Sequence, residues 1–193
     1  HRYTYKEWSQ RAQQLAHALH RAGVTDGERI ATFGWNTYRH LELYYAVPCM
    51  GAMLHTLNIR LFPEQLAYII NDAGDKIIFV DGDLVPVLEK VADQIPTVKL
   101  FVIMGDAPYA TEKLQPSVDY ETFIADQPTT YDWPELEENT AAAMCYTSGT
   151  TANPKGVIYS HRSIFLHSMG VGLADGAALS ENDTVLPIVP MFH

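Results

Sequence analysis

The 193-residue chain is 47% hydrophobic and 19% charged, a globular composition with enough apolar material for the core of one or two ordinary domains. Its formal charge of −10 argues against nucleic acid or an anionic membrane as a partner. No apolar run approaches the ~18 residues that a membrane span needs, and no signal-peptide pattern opens the chain.

Thr4-Tyr5-Lys6-Glu7 has capping-box spacing, with threonine first and glutamate three later. Tyr5, Trp8, Ala12, Leu15, Ala16 and Leu19 follow at helical intervals, and Gly23 stands where that helix should stop. His17 and His20 are three apart and read as part of a solvated helix face, since zinc wants three or more ligands. Residues 28–33 read as a strand, and about 39–50 as a buried helix that Pro48 kinks or ends. A short strand over 53–56 and a loop to Phe62 come next. Pro63 and Glu64 open a helix whose inner face is Leu66, Ile69, Ile70 and Ala73, with Gly74 closing it. The β-branched and aromatic runs 76–80 and 99–104 read as strands buried on both faces, joined by a crossover helix over 84–94. Strand and helix alternate, which predicts an α/β fold with a mostly parallel sheet flanked by helices.

Residues 106–139 break the rhythm with four prolines, and only 119–125 looks helical. Asp132, Glu135, Glu137 and Glu138 within it read as a solvated charged loop. Cys49 and Cys145 lie in apolar runs and read as buried free thiols of a reducing compartment, with the cytoplasm as the default location. Later, Ser160 is placed to cap a helix running to about Leu179, with Gly170, Gly172 and Gly176 tolerable where close packing compensates them. Residues 184–189 predict a strand interrupted by Pro187. The chain opens at His1 and stops at Pro190-Met191-Phe192-His193, so a piece of a longer protein is expected.

Thr147 to Gly156 read T-S-G-T-T-A-N-P-K-G. Four hydroxyls, two glycines and a lysine in ten positions suit an anion-binding concavity: small residues let backbone N–H groups converge, hydroxyls add donors, and Lys155 adds a mobile positive charge. Polyphosphate calls for all three. A Walker loop would run G-x-x-x-x-G-K-[ST] from strand into helix, whereas here Pro154 precedes the lysine and Val157-Ile158-Tyr159 continues as strand.

The decapeptide resembles the phosphate loop of the adenylate-forming superfamily, T-S-G-T-T-G-x-P-K-G, at every position but Ala152. The runs H-T-L-N-I-R-L at 55–61, Y-S-H-R-S at 159–163 and P-M-F-H at 190–193 are similar to its fatty acyl-CoA synthetase branch, for medium- or long-chain acids. The similarity covers nearly the whole chain. It implies that residues 1–193 are part of a large N-terminal AMP-binding domain, less regular at 106–139, with the C-terminal lid absent. The implied activity makes an acyl-adenylate from a carboxylic acid and ATP with Mg2+, then passes the acyl group to coenzyme A. Thr147 would contact phosphate and magnesium. Ser148, Gly149, Thr150 and Thr151 would line the same cradle, and Lys155 would neutralise charge. His193 matches the family histidine beside the acyl and adenylate pocket, a core histidine at a strand end being the alternative, and His161 reads as structural. The family's adenine motif, magnesium-binding glutamate, ribose-binding aspartate and adenylation lysine would lie beyond His193, so these residues alone are expected to be inactive. A ligase for an aryl or methylthio-alkanoic acid, and a non-catalytic nucleotide-binding relative, stay open. Ala152 is the one hint of the latter: glycine there supplies positive φ or room, and the expectation is that Asn153 carries the turn instead. Oligomeric state is not set by the sequence, and a homodimer stays open.

Overall fold

The computed structural model describes residues 1–147 and 153–192. Seven strands form one sheet: β1 (Arg29–Phe33), β2 (Met53–Thr56), β3 (Ile77–Asp81), β4 (Leu100–Met104), β5 (Ser117–Asp119), β6 (Ala141–Thr147) and β7 (Lys155–Ser160), in the order β5-β4-β3-β1-β2-β6-β7. All neighbours pair parallel except β6 and β7, which are antiparallel. The expected mostly parallel α/β sheet is therefore present.

Alternation along the strands builds two cores, as a period of two requires. Ile30, Leu54, Ile77, Phe79, Val102 and Met104 point to one face, where α1 (Tyr5–Arg21) and α2 (Tyr38–Cys49) cover them. Ala31, Phe33, Ile78, Val80, Phe101 and Ile103 point to the other, against α3 (Pro63–Ala73). The capping box forms as read, with Thr4 Oγ1 accepting from the Glu7 N–H and Glu7 accepting from the Thr4 N–H at 2.6 Å. Gly74 ends α3 in the left-handed region, φ +69, where a side chain would be strained and a Cβ would lie 2.9 Å from Arg29 Nη2.

Several expectations are corrected. The crossover over 84–94 is not one helix: a single α-helical turn, α4 (Val85–Leu88), lies between 3-10 turns over 82–84 and 89–94, with Pro86 in that turn, where it donates no backbone hydrogen bond. A three-residue strand, β5, precedes α5 (Tyr120–Ile124) at the sheet edge; three residues are too few to show a period. The helix after Ser160, α6 (His161–Gly172), stops seven residues early, and none of its residues is buried. Among the described residues nothing beyond the helix's own backbone lies within 4 Å of where a Cβ would sit on Gly170 or Gly172, so the expected close packing is not found there, whereas a Cβ on Gly176 would lie 2.5 Å from the Val171 carbonyl oxygen. Residues 184–189 form no strand. Cys49 is exposed and Cys145 half-buried, both as free thiols. His17 is half-buried and His20 exposed; the His17 Nε2 lies 2.7 Å from the Thr130 carbonyl oxygen and its ring packs edge-on to Tyr131. Helix α2 buries Leu43 and Val47 but also Arg39, His40 and Glu42, while Leu41 and Tyr45 face outward.

Those polar groups are enclosed because they are paired. Glu42 accepts from Arg11 Nε at 2.7 Å and from Tyr120 Oη at 2.6 Å. Arg11 and Arg39 then share Glu121, stitching α1, α2 and α5 together. Among the described residues no helix is long and apolar enough to cross a membrane, and no group of three or more His, Cys, Asp or Glu could hold a metal. The acids at 132–138 are exposed, Glu138 pairing with Arg162 at 2.7 Å.

Candidate active site

The decapeptide links two paired strands. β6 ends at Thr147, β7 starts at Lys155, and these two residues stand opposite each other in the antiparallel register. Side chains directly opposite in such a pair share a face of the sheet, so the hydroxyl and the ammonium flank the connection from the same side. Both are exposed. Ser148, Gly149, Thr150, Thr151 and Ala152 lie outside the described residues, as does His193.

The hairpin hangs at the carboxyl end of the parallel strands, since β6 runs parallel to β2 and open α/β sheets bind ligands at that end. One step back, Tyr146 faces Gly156, and a Cβ on that glycine would lie 3.2 Å from the tyrosine Cζ. The motif's closing glycine thus makes room for a ring. Tyr146 in turn donates from Oη to Asp72 at 2.6 Å and packs 5.2 Å from the His55 ring. His55, in the H-T-L-N-I-R-L run, donates from Nδ1 to buried Asp75 at 2.8 Å. Burial pushes the Asp75 carboxyl up, and His55 beside it pulls it back down. These groups brace the base of the hairpin from the α3 side.

The other motif arrives on the opposite, α2-facing side. Thr56, the last residue of β2, pairs with Cys145, two before Thr147, so alternation places Thr56, Cys145 and Thr147 on one face. Thr56 Oγ1 donates to the Phe192 carbonyl at 3.4 Å, and Tyr44 Oη donates to the Met191 carbonyl. Burial pushes the Tyr44 hydroxyl up to about 12, so it remains a donor at neutral pH. Asn36, in the loop after β1, binds the same segment: its Oδ1 accepts from the Met191 N–H at 2.7 Å, and its Nδ2 donates to the Val189 and Pro187 carbonyls at 2.8 and 3.1 Å. Thr147 and Lys155, which bracket the connection, and the P-M-F run therefore lie at one end and one face of the sheet. His161, read as structural, starts α6; its backbone N–H donates to Thr140 at 3.1 Å and its Nε2 is buried without a hydrogen-bond partner among the described residues.

Sequence reasoning passed over Asn36 and Tyr44. Tyr44 falls inside the 39–50 run that reads as a buried helix, where a tyrosine is one more apolar position. Asn36 belongs to no periodic run, and its sole signal is a polar residue just past a strand's carboxyl end.

A model of the family described as "AMP-binding enzyme" matches residues 1–193. The chain belongs to the AMP-binding enzyme family. It is 47% identical over 190 residues to a medium-chain-fatty-acid–CoA ligase of Ectopseudomonas oleovorans, covering 98% of this chain and 35% of that one. It is equally, 47%, identical over 183 residues to a 3-methylmercaptopropionyl-CoA ligase of Ruegeria pomeroyi, covering 94% of this chain and 34% of the relative. Among solved structures, the inhibitor-bound N-terminal domain of FACL13 from Mycobacterium tuberculosis superposes on all of this chain and 46% of its own with a TM-score of 0.83, at 26% identity. This AMP-binding chain thus spans about a third of the length of the curated relatives it matches.

Proposed function

We propose that the AMP-binding protein containing this chain activates an aliphatic carboxylic acid with ATP and Mg2+, forming an acyl-adenylate and pyrophosphate, and then transfers the acyl group to coenzyme A. Residues 1–193 would be the first part of its N-terminal domain, with the lid and the remaining nucleotide contacts elsewhere in the polypeptide. The observation that carries this reading is the pairing of Thr147 with Lys155 across the base of a hydroxyl-rich hairpin at the carboxyl end of the sheet.

A carboxylate is a poor acyl donor until one of its oxygens becomes part of a good leaving group, and AMP supplies one. The protein's work in that step is to hold the β- and γ-phosphates while the carboxylate attacks the α-phosphorus, which is positioning and charge stabilisation. Lys155 is exposed and free to follow the phosphates, and Ser148, Gly149, Thr150 and Thr151 would supply the remaining donors. Thr147 offers Mg2+ one hard oxygen ligand, which fits a metal that keeps most of its waters and is carried mainly by substrate phosphate. Bound there, the ion would neutralise charge on the polyphosphate. His193 would line the acyl and adenylate pocket. Two free thiols support a reducing, cytoplasmic setting.

The equal identity to a 3-methylmercaptopropionyl ligase favours one second reading, in which the acid is a short thioether alkanoate. The full-length protein should form a coenzyme A thioester only with ATP and an acid present. A panel of straight-chain acids from four to sixteen carbons beside 3-methylmercaptopropionate separates the two readings by kcat/KM. Acid-independent ATP hydrolysis with no thioester from any of them would contradict both.

A further inference from the structure

The run Thr184–Val189 forms no strand, yet the end of it is held as if it had a neighbour. Asn36 binds the backbone at residues 187, 189 and 191, every second position, which is the spacing at which a partner strand would bind one edge. A carboxamide has two N–H donors and one carbonyl oxygen, and all three functions are engaged on this segment.

Asn36 is itself tightly held. The Trp35 N–H donates to Asp81 at 2.6 Å, and the Trp35 indole N–H donates to Asp83 at 2.9 Å. Buried His40 donates from Nδ1 to the Trp35 carbonyl at 2.9 Å and accepts at Nε2 from Thr32 Oγ1 at 2.9 Å. Thr37 caps α2 by accepting from the His40 N–H at 3.3 Å. The asparagine therefore stands on a loop fixed on both sides, between the carboxyl ends of β1 and β3, where the strand order reverses.

We propose that Asn36 is a positioning residue for acid activation: its amide fixes residues 187–191 against the carboxyl edge of the sheet and so sets the course of the P-M-F run there. The proposal rests on the reading of function above. Among the described residues no hydrogen bond joins Asn36 to Thr147 or Lys155, so its proposed role is in the acyl-side geometry and not in holding phosphate.

The test uses Asn36→Ala and Asn36→Asp in the full-length protein, read by acid-dependent exchange of labelled pyrophosphate into ATP. Both variants are expected to lose at least tenfold in kcat with the KM for ATP within twofold of wild type. The carboxyl introduced by Asn36→Asp can accept from Met191, but when ionised it faces two carbonyl oxygens; protonated, it regains one donor. Its activity relative to wild type should therefore rise at least threefold from pH 8 to pH 6, while that of Asn36→Ala stays flat. Amide hydrogen exchange, measured without substrate, should show at least tenfold faster exchange at the Met191 amide, whose N–H donates to Asn36, in Asn36→Ala with the central strands unchanged. A kcat within twofold of wild type, or a loss equal at both pH values and matched by faster exchange throughout the sheet, would overturn the proposal. Wild-type protein with no acid-dependent exchange would overturn the proposed activity and the positioning role of Asn36 in it together, leaving the clamp itself to be judged by amide exchange.

Discussion

The stretch from α1 to β6 and the stretch from β7 onward are both rich in apolar residues and treat them in opposite ways. In the first, Leu54, Phe79 and Val102 are wholly enclosed between helices and sheet. In the second, Leu186 is 79% and Ile188 81% exposed, and α6 buries nothing. Hydropathy marks which residues would gain from burial; it does not say what will cover them. A central parallel strand finds neighbours on both edges and helices on both faces, whereas among the described residues β7 pairs only with β6. The contrast explains where function can be read cleanly. In the enclosed part a substitution registers first as lost stability. At the open hairpin it can register as lost chemistry alone.

Truncation in the enclosed part should have the largest effect. Leu54→Ala removes a fully buried side chain from β2 and should cost about 2–5 kcal/mol, the range for such cavities, by urea unfolding of the 193-residue chain. A cost below 1 kcal/mol would mean that the α1–α2 core is loosely packed. A middle-sized effect is expected at Asp81, whose carboxyl is raised to about 6, first by burial and then by Asp83, against the pull of the Trp35 N–H. A folded value above the unfolded one means that the native state holds the proton more tightly. Stability is then highest below about pH 4 as far as this group is concerned, and is lost as pH rises through about 6. Asp81→Asn should remove about 1–2 kcal/mol of that slope between pH 4 and 7, less than the full shift because solvent reaches part of the group. Unfolding measured across that range checks it, and identical slopes in both proteins would contradict the assignment. At the other extreme, Ile188→Ala in the same 193-residue chain should change stability by less than about 0.5 kcal/mol. A core-sized penalty would erase the contrast between the two regions.

Most of the enclosed part was legible in the sequence. The period of two and the 3.6 period are strong where both faces of an element are buried, so Met53–Thr56 and the Pro63 helix start came out as read. The three-residue β5 was too short to show a period. The 184–189 run carried a strand-like composition, but Pro187 lacks an N–H, and the partner that holds this backbone is a side chain, Asn36, with no pattern to announce it. Likewise the buried-helix reading of α2 did not show how Arg39 and Glu42 are enclosed, since their ion partners, Glu121 and Arg11, lie 31 and more residues away. At the hairpin, composition predicts phosphate binding for the decapeptide, and the register adds that Thr147 and Lys155 stand opposite each other, which is compatible with the proposed role. Gly156 was legible as part of the motif, whereas its use, making room for Tyr146, needed the pairing register.

The central claim is that the hairpin between β6 and β7 is a phosphate cradle whose lysine acts in chemistry and not in folding. Lys155→Ala in the full-length protein tests it most directly, with acid-dependent pyrophosphate exchange and urea unfolding measured on the same preparation. Lys155 is exposed, so unfolding should shift by less than about 0.5 kcal/mol, while the barrier to exchange rises by about 2–4 kcal/mol, the usual loss for one such electrostatic contact. Exchange at the wild-type rate, or a loss of activity no larger than the loss of stability explains, would contradict it.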